Sequence, residues 1–134
     1  FITGEKHEGG RWITEKHGYL SIPMMVKENS IIAVGANNTV PDYDFGKDVS
    51  LEVFELVDGK VANVEVLNKE RELVLNATAL RNENTIEFNV EAKDSYSIIL
   101  RGITEVSNVE GASVELTEKG IKLIPTANRI LCNI

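Results

Sequence analysis

The sequence predicts an all-β protein, an antiparallel β-sandwich preceded by part of another β-sheet. Three observations carry this. Short apolar runs recur beyond residue 41 at a spacing of about 8 to 12 residues, with turn residues between them. Inside the best of these runs apolar and polar side chains alternate with period two, so one set faces a core and the other faces outward. Between Gly9 and Asp44 the apolar runs are too brief for helices, and aromatic residues fall beside Gly or Pro, where the backbone is punctuated.

Taken in order, Phe1–Thr3 reads as the end of a strand stopped at Gly4, and Arg11–Thr14 as a second short strand after a polar loop. Tyr19–Val26 is apolar but broken by Pro23, which cannot donate to a ladder, so a loop crossing or an edge is expected there. Glu28-Asn29 turns the chain, and Ser30–Val34 is a β-branched strand. Polar residues from Gly35 to Thr39, followed by Pro41, place a boundary near Val40 and divide the chain into 1–40 and 41–134.

Beyond the boundary Val49, Leu51 and Val53 share one face, with Ser50 and Glu52 opposite. Asp58-Gly59 is the strongest hairpin signal, because a type I′ turn needs the positive φ that glycine adopts freely, and Val61–Val66 is the expected return strand. Helix competes only between Lys69 and Arg81. Leu73, Leu75, Ala77 and Ala79 alternate there, and strand is the reading adopted. Thr85–Glu91 alternates cleanly, with Ile86, Phe88 and Val90 facing in. Tyr96–Arg101, Ser113–Thr117, Ile121–Ile124 and Arg129–Asn133 complete the strands, with turns at Gly111, Lys119-Gly120 and Pro125–Asn128.

A length of 134 residues allows a core without staples. The net charge of −7 is spread along the chain, which argues against nucleic acid, whose binding draws on clustered Lys and Arg. No apolar run approaches the roughly 20 residues that span a bilayer, so no membrane partner is expected. One cysteine, Cys132, excludes an intrachain disulfide and fits a reducing compartment. The first residue is Phe1 and not Met, so the chain is expected to be a piece of a longer protein.

Several stretches carry a family resemblance. Thr3-Gly4-Glu5, Gly9-Gly10-Arg11-Trp12, Leu20-Ser21-Ile22-Pro23 and Asn29–Gly35, then Val53-Phe54-Glu55-Leu56, Asp58-Gly59, Asn84-Thr85-Ile86, Ala92-Lys93, Leu100-Arg101, Gly120 and Pro125, occur in this order. Together they resemble the C-terminal β-domains of glycoside hydrolase family 31, the α-xylosidase branch in particular. The resemblance implies that residues 1–40 belong to a proximal β-domain and 41–134 to a distal β-sandwich. It also implies a parent that releases terminal α-linked xylose with retention, without a cofactor, from a cytoplasmic location. In that family the catalytic aspartates lie on a preceding (β/α)₈ barrel, so no catalytic residue carries over to this chain.

The residues themselves offer little other chemistry. A glycosidase needs two carboxyl groups about 5 to 9.5 Å apart in a cleft, whereas the acids here fall in turns or on the polar sides of strands. Asp42, Asp44 and Asp48 have the start of a calcium-loop spacing, but Gly46, Lys47 and Val53 break it. His7 and His17 lack a third ligand at a useful spacing, and Cys132 alternates with Ile130 and Ile134 as a small buried hydrophobe. Asn37-Asn38-Thr39 and Asn76-Ala77-Thr78 fit the glycosylation sequon, which matters only in a secreted eukaryotic protein. No metal or cofactor site is expected.

Trp12, Tyr19, Pro23, Met24 and Met25 form the candidate docking or interface set, and the catalytic barrel of the parent is the expected partner. Removed from that barrel, the exposed apolar surface and strand edges of residues 1–35 are expected to favour self-association. Two alternatives stand beside this reading. Trp12, Tyr19, Tyr43 and Phe45 would make a carbohydrate-binding module if they formed a coplanar row. A free-standing interaction domain would need a complete sheet with protected edges.

Overall fold

A computed structural model describes residues 1–134. It contains ten strands and no helix: β1 Ser30–Val34, β2 Val49–Phe54, β3 Val61–Leu67, β4 Leu73–Asn82, β5 Thr85–Ala92, β6 Tyr96–Arg101, β7 Asn108–Glu110, β8 Ala112–Thr117, β9 Gly120–Pro125 and β10 Arg129–Asn133. A front sheet runs β1-β2-β6-β9-β8 and a back sheet runs β3-β4-β5-β10-β7. All neighbours are antiparallel except β2 and β6, which are parallel. The β3–β4–β5 meander, laid on the back sheet, is the crossover that lets β6 return beside β2 in the same direction.

The alternation seen in the sequence produces the core. Val49, Leu51 and Val53 of β2, Ile98 and Leu100 of β6, and Ile121 and Leu123 of β9 meet Leu75, Ala77, Ala79, Ile86, Phe88, Val90, Ile130 and Cys132 of the back sheet in one cluster. Each large side chain so buried contributes on the order of 1.5–3 kcal/mol. The stretch where helix competed is strand β4, and Leu75, Ala77 and Ala79 are buried as the period-two pattern requires. Leu73 escapes the core because the β3–β4 register shifts between Val66 and Leu67.

Asp58-Gly59 is a turn, but it does not close a hairpin. β2 and β3 lie in different sheets, so the turn carries the chain across the sandwich. Lys60 N–H donates to the Val57 carbonyl at 3.0 Å. Positive φ falls on Gly59 (+70°) and not on Asp58, whereas a type I′ turn needs it at both central positions. The back sheet holds this turn: Gly59 N–H donates to Arg81 O at 2.9 Å, and Glu83 N–H to an Asp58 carboxylate oxygen at 2.6 Å.

Phe1–Thr3 and Arg11–Thr14 do not form strands, and the first strand is β1. Their extended sequences find no ladder to join in this chain. β1 itself pairs with β2 over all five residues, from Ser30↔Phe54 to Val34↔Ser50. The other edge is open. β7 is only three residues long, so Val114 and Leu116 of β8, which share a face with core residues Leu123 and Ile121, stay exposed.

Candidate functional site

The outer face of the front sheet holds the chain's one buried charge. Glu52 is only 1% exposed although it points away from the core. Its Oε2 accepts from Arg101 Nη1 at 2.9 Å, and its Oε1 accepts from Lys119 Nζ at 2.7 Å. A buried carboxylate needs such partners, because an uncompensated charge there would cost several kcal/mol. Arg101 is placed in turn by the N-terminal segment: its Nη2 donates to the Phe1 carbonyl at 2.6 Å, and its guanidinium lies 5.7 Å from the Phe1 ring and 5.2 Å from the Phe54 ring. The backbone nitrogen of Phe1 donates to Met24 O at 2.9 Å, which ties both ends of the arm to this face. The alternation in β2 put Glu52 opposite the core, where solvent was expected. No local signal in the sequence announces that the arm and Arg101 cover it.

The five expected interface residues all lie on that arm. Trp12 and Tyr19 are fully exposed, and Pro23, Met24 and Met25 are exposed as well, together with Leu20 and Ile22. Residues 12–25 therefore present a run of large apolar side chains to water, in a segment with no strand of its own. Isolated exposed apolar residues are ordinary, and every residue from Ile2 to Met25, polar or apolar, is exposed.

The aromatic residues do not assemble into a flat platform. Tyr43 and Phe45 meet edge to face, with ring centroids 5.5 Å apart and planes at 84°. Tyr43 also packs against Gly35, where a side chain would collide with its hydroxyl. The three aspartates with partial calcium spacing turn to separate tasks. Asp42 pairs with Lys69, Asp44 Oδ1 accepts from Gly46 N–H at 3.2 Å, and Asp48 contacts Ser95. His7 and His17, distant in sequence, reach the same carboxylate: their Nε2 atoms lie 3.5 and 2.8 Å from Glu15 oxygens. No group of three His, Cys, Asp or Glu side chains is arranged to hold a metal ion. Cys132 is fully buried, and burial pushes its thiol up to about 11. Asn37 of the first sequon caps its own turn through Thr39 and Val40 N–H groups, and Asn76 of the second lies within β4. No helix is long and apolar enough to cross a membrane.

Residues 44–133 match the protein family described as Alpha-xylosidase YicI, C-terminal domain. Among curated proteins, the chain is 27% identical over 89 residues to the alpha-xylosidase XylQ of Lactiplantibacillus pentosus, covering 58% of this chain and 12% of that protein. It is 29% identical over 70 residues to an alpha-xylosidase of Emericella nidulans, covering 52% of this chain and 9% of that protein. The chain thus spans only about a tenth of the length of these relatives.

Proposed function

The chain belongs to the family of α-xylosidase C-terminal domains, and from that premise we propose that it is a structural, non-catalytic part of a family 31 α-xylosidase. Its parent would release terminal α-linked xylose with retention, using carboxylates of a catalytic barrel elsewhere in the chain and no cofactor. The work of these residues is to cover the flank of that barrel. The supporting observation is the arm of exposed Trp12, Tyr19, Pro23, Met24 and Met25. It is anchored through Phe1 to Arg101 and Phe54 of the front sheet, while Trp12 and Tyr19 remain fully exposed.

The division at Val40 belongs to the same proposal. Residues 1–40 carry the contact surface of the proximal domain, while 41–134 form the distal sandwich on which β1 is paired as an edge strand. The parent works in the cytoplasm. Away from the barrel, two copies of the chain cover one another's arms, and the same surface contributes to subunit contacts in the parent.

Assay of the purified chain against p-nitrophenyl α-D-xylopyranoside tests the catalytic half of this reading. Release of nitrophenol no faster than in buffer is expected. Turnover comparable to that of a whole enzyme would sink it. Light scattering across a wide concentration range tests the contact half, with a mass that rises toward a dimer expected and a strict monomer counting against it.

A further inference from the structure

Sheets avoid asparagine in strand interiors, because its short amide competes for backbone hydrogen bonds and packs poorly on a pleated surface. Here every asparagine that lies within a strand falls on one surface. Asn63 of β3, Asn76 and Asn82 of β4, Asn89 of β5, Asn108 of β7 and Asn133 of β10 alternate with core residues and so occupy the outer face of the back sheet. The front sheet's strands contain none. Solvation alone does not ask for this, since Thr, Lys and Glu solvate a sheet face at lower conformational cost.

Two of these amides, Asn63 and Asn89, stand in one row, and Asn76 stands in the next. Asn63, Thr78, Asn89 and Arg129 lie directly across four neighbouring strands, and Glu65, Asn76 and Glu91 form the next row. β10 begins at Arg129 while β5 runs on to Ala92, so the sheet narrows by a step. At the step lies a groove of about 320 Å³ lined by Asn76, Thr78, Asn89, Glu91, Asn128 and Arg129. A second hollow of about 210 Å³ shares Asn76 and Glu91 with it and extends over Leu73, Val74 and Ala92.

The chemistry of this groove is selective. Arg129 Nε donates to Glu87 Oε1 at 2.8 Å and Asn89 Nδ2 donates to the same oxygen at 3.2 Å, so the guanidinium is already matched by a carboxylate. With Glu91 on the rim, an anionic ligand would meet net repulsion. The side-chain amides of Asn76 and Asn128 make no hydrogen bond within the protein, which leaves two donor–acceptor pairs free at the groove beside an aliphatic end. We propose that this groove is a binding site for a neutral oligosaccharide. Vicinal hydroxyls match the paired donor and acceptor of an amide, and the C–H face of a sugar ring matches the aliphatic end. The site lies on the sheet opposite the arm, so it stands apart from the docking reading and fails or survives separately.

The test is a titration of the ¹⁵N-labelled chain with a xyloglucan heptasaccharide and, separately, with maltotriose. Saturable shifts of the side-chain amide resonances of Asn76, Asn89 and Asn128 are expected, with Trp12 unmoved. Binding of one sugar alone supports the site and identifies the linkage it takes. Asn76→Ala and Asn128→Ala are surface changes that leave the fold intact, and each is expected to weaken binding about tenfold. Unmoved amides with both sugars, shifts confined to Trp12 and Tyr19, or unchanged affinity in both variants would each overturn the proposal.

Discussion

Glu52 and Arg101, on neighbouring parallel strands, are joined by a 2.9 Å charge-assisted hydrogen bond on a sheet face that would otherwise be open to water. Phe1 and Phe54 lie close to the guanidinium, so the pair is both an ion pair and the point where the N-terminal arm attaches. Glu52→Ala leaves Arg101 without its partner in a covered place, and urea unfolding is expected to show a loss of about 3 kcal/mol. Replacing both residues, Glu52→Leu with Arg101→Met, removes the charges together and is expected to cost clearly less. Equal losses from the single and the double variant would show that the ion pair is not what stabilises this face.

Gly120 opens β9 with φ +134°, and a Cβ there would lie 2.1 Å from the Leu100 carbonyl oxygen. Both the backbone angle and the close approach of β6 exclude a side chain. Gly120→Ala is expected to destabilise the chain by at least ~2 kcal/mol, read as a lowered melting temperature.

Glu83 is the first turn residue of the β4–β5 hairpin and adopts φ 51°, where a glycine sits with less strain. Its N–H bond to Asp58 is made by the backbone and survives substitution. Glu83→Gly is therefore expected to be neutral or stabilising by up to about 1 kcal/mol in urea unfolding, the opposite of a usual glycine substitution.

Cys132 is held neutral by burial with its pKa at about 11, and burial also raises the Tyr96 hydroxyl, whose oxygen has no hydrogen-bond partner. In the unfolded chain both groups ionise at lower pH. The folded state then binds more protons than the unfolded state, so stability falls as pH rises from about 9 to 11 and levels off above. Cys132→Ala is expected to flatten that decline in a series of melts, at the cost of a small cavity. Tyr96→Phe is expected to be neutral or mildly stabilising near pH 7, because it removes an unsatisfied hydroxyl.

Much of the sandwich was legible because each strand announces itself locally: alternation along Thr85–Glu91 and Val49–Val53 marks the core face without knowledge of the partner strand. Partner choice is not local. Asp58-Gly59 reads as a hairpin in any sequence window, and only the competition between two sheets turns it into a crossing. β7 is too short to show a period, and the parallel placement of β6 depends on the meander before it. The five residues expected to form an interface stand in broken, loop-like sequence, and the structure leaves them exposed. Glu52 was not readable as buried, because what covers it comes from residues 1 and 101. The clustering of asparagines was equally hidden, since strand parity and sheet membership are both needed to place six separate residues on one face.

The proposed docking of the arm on the catalytic part of a parent chain can be tested through Trp12, the chain's single tryptophan. The chain is labelled with 5-fluorotryptophan and its ¹⁹F spectrum is recorded alone and with the unlabelled catalytic portion in excess. A Trp12 resonance that shifts, broadens and loses its water-to-heavy-water isotope effect is the expected result, since the ring leaves solvent for an apolar interface. A resonance that keeps its position and its isotope effect while the two portions form a complex would contradict the account.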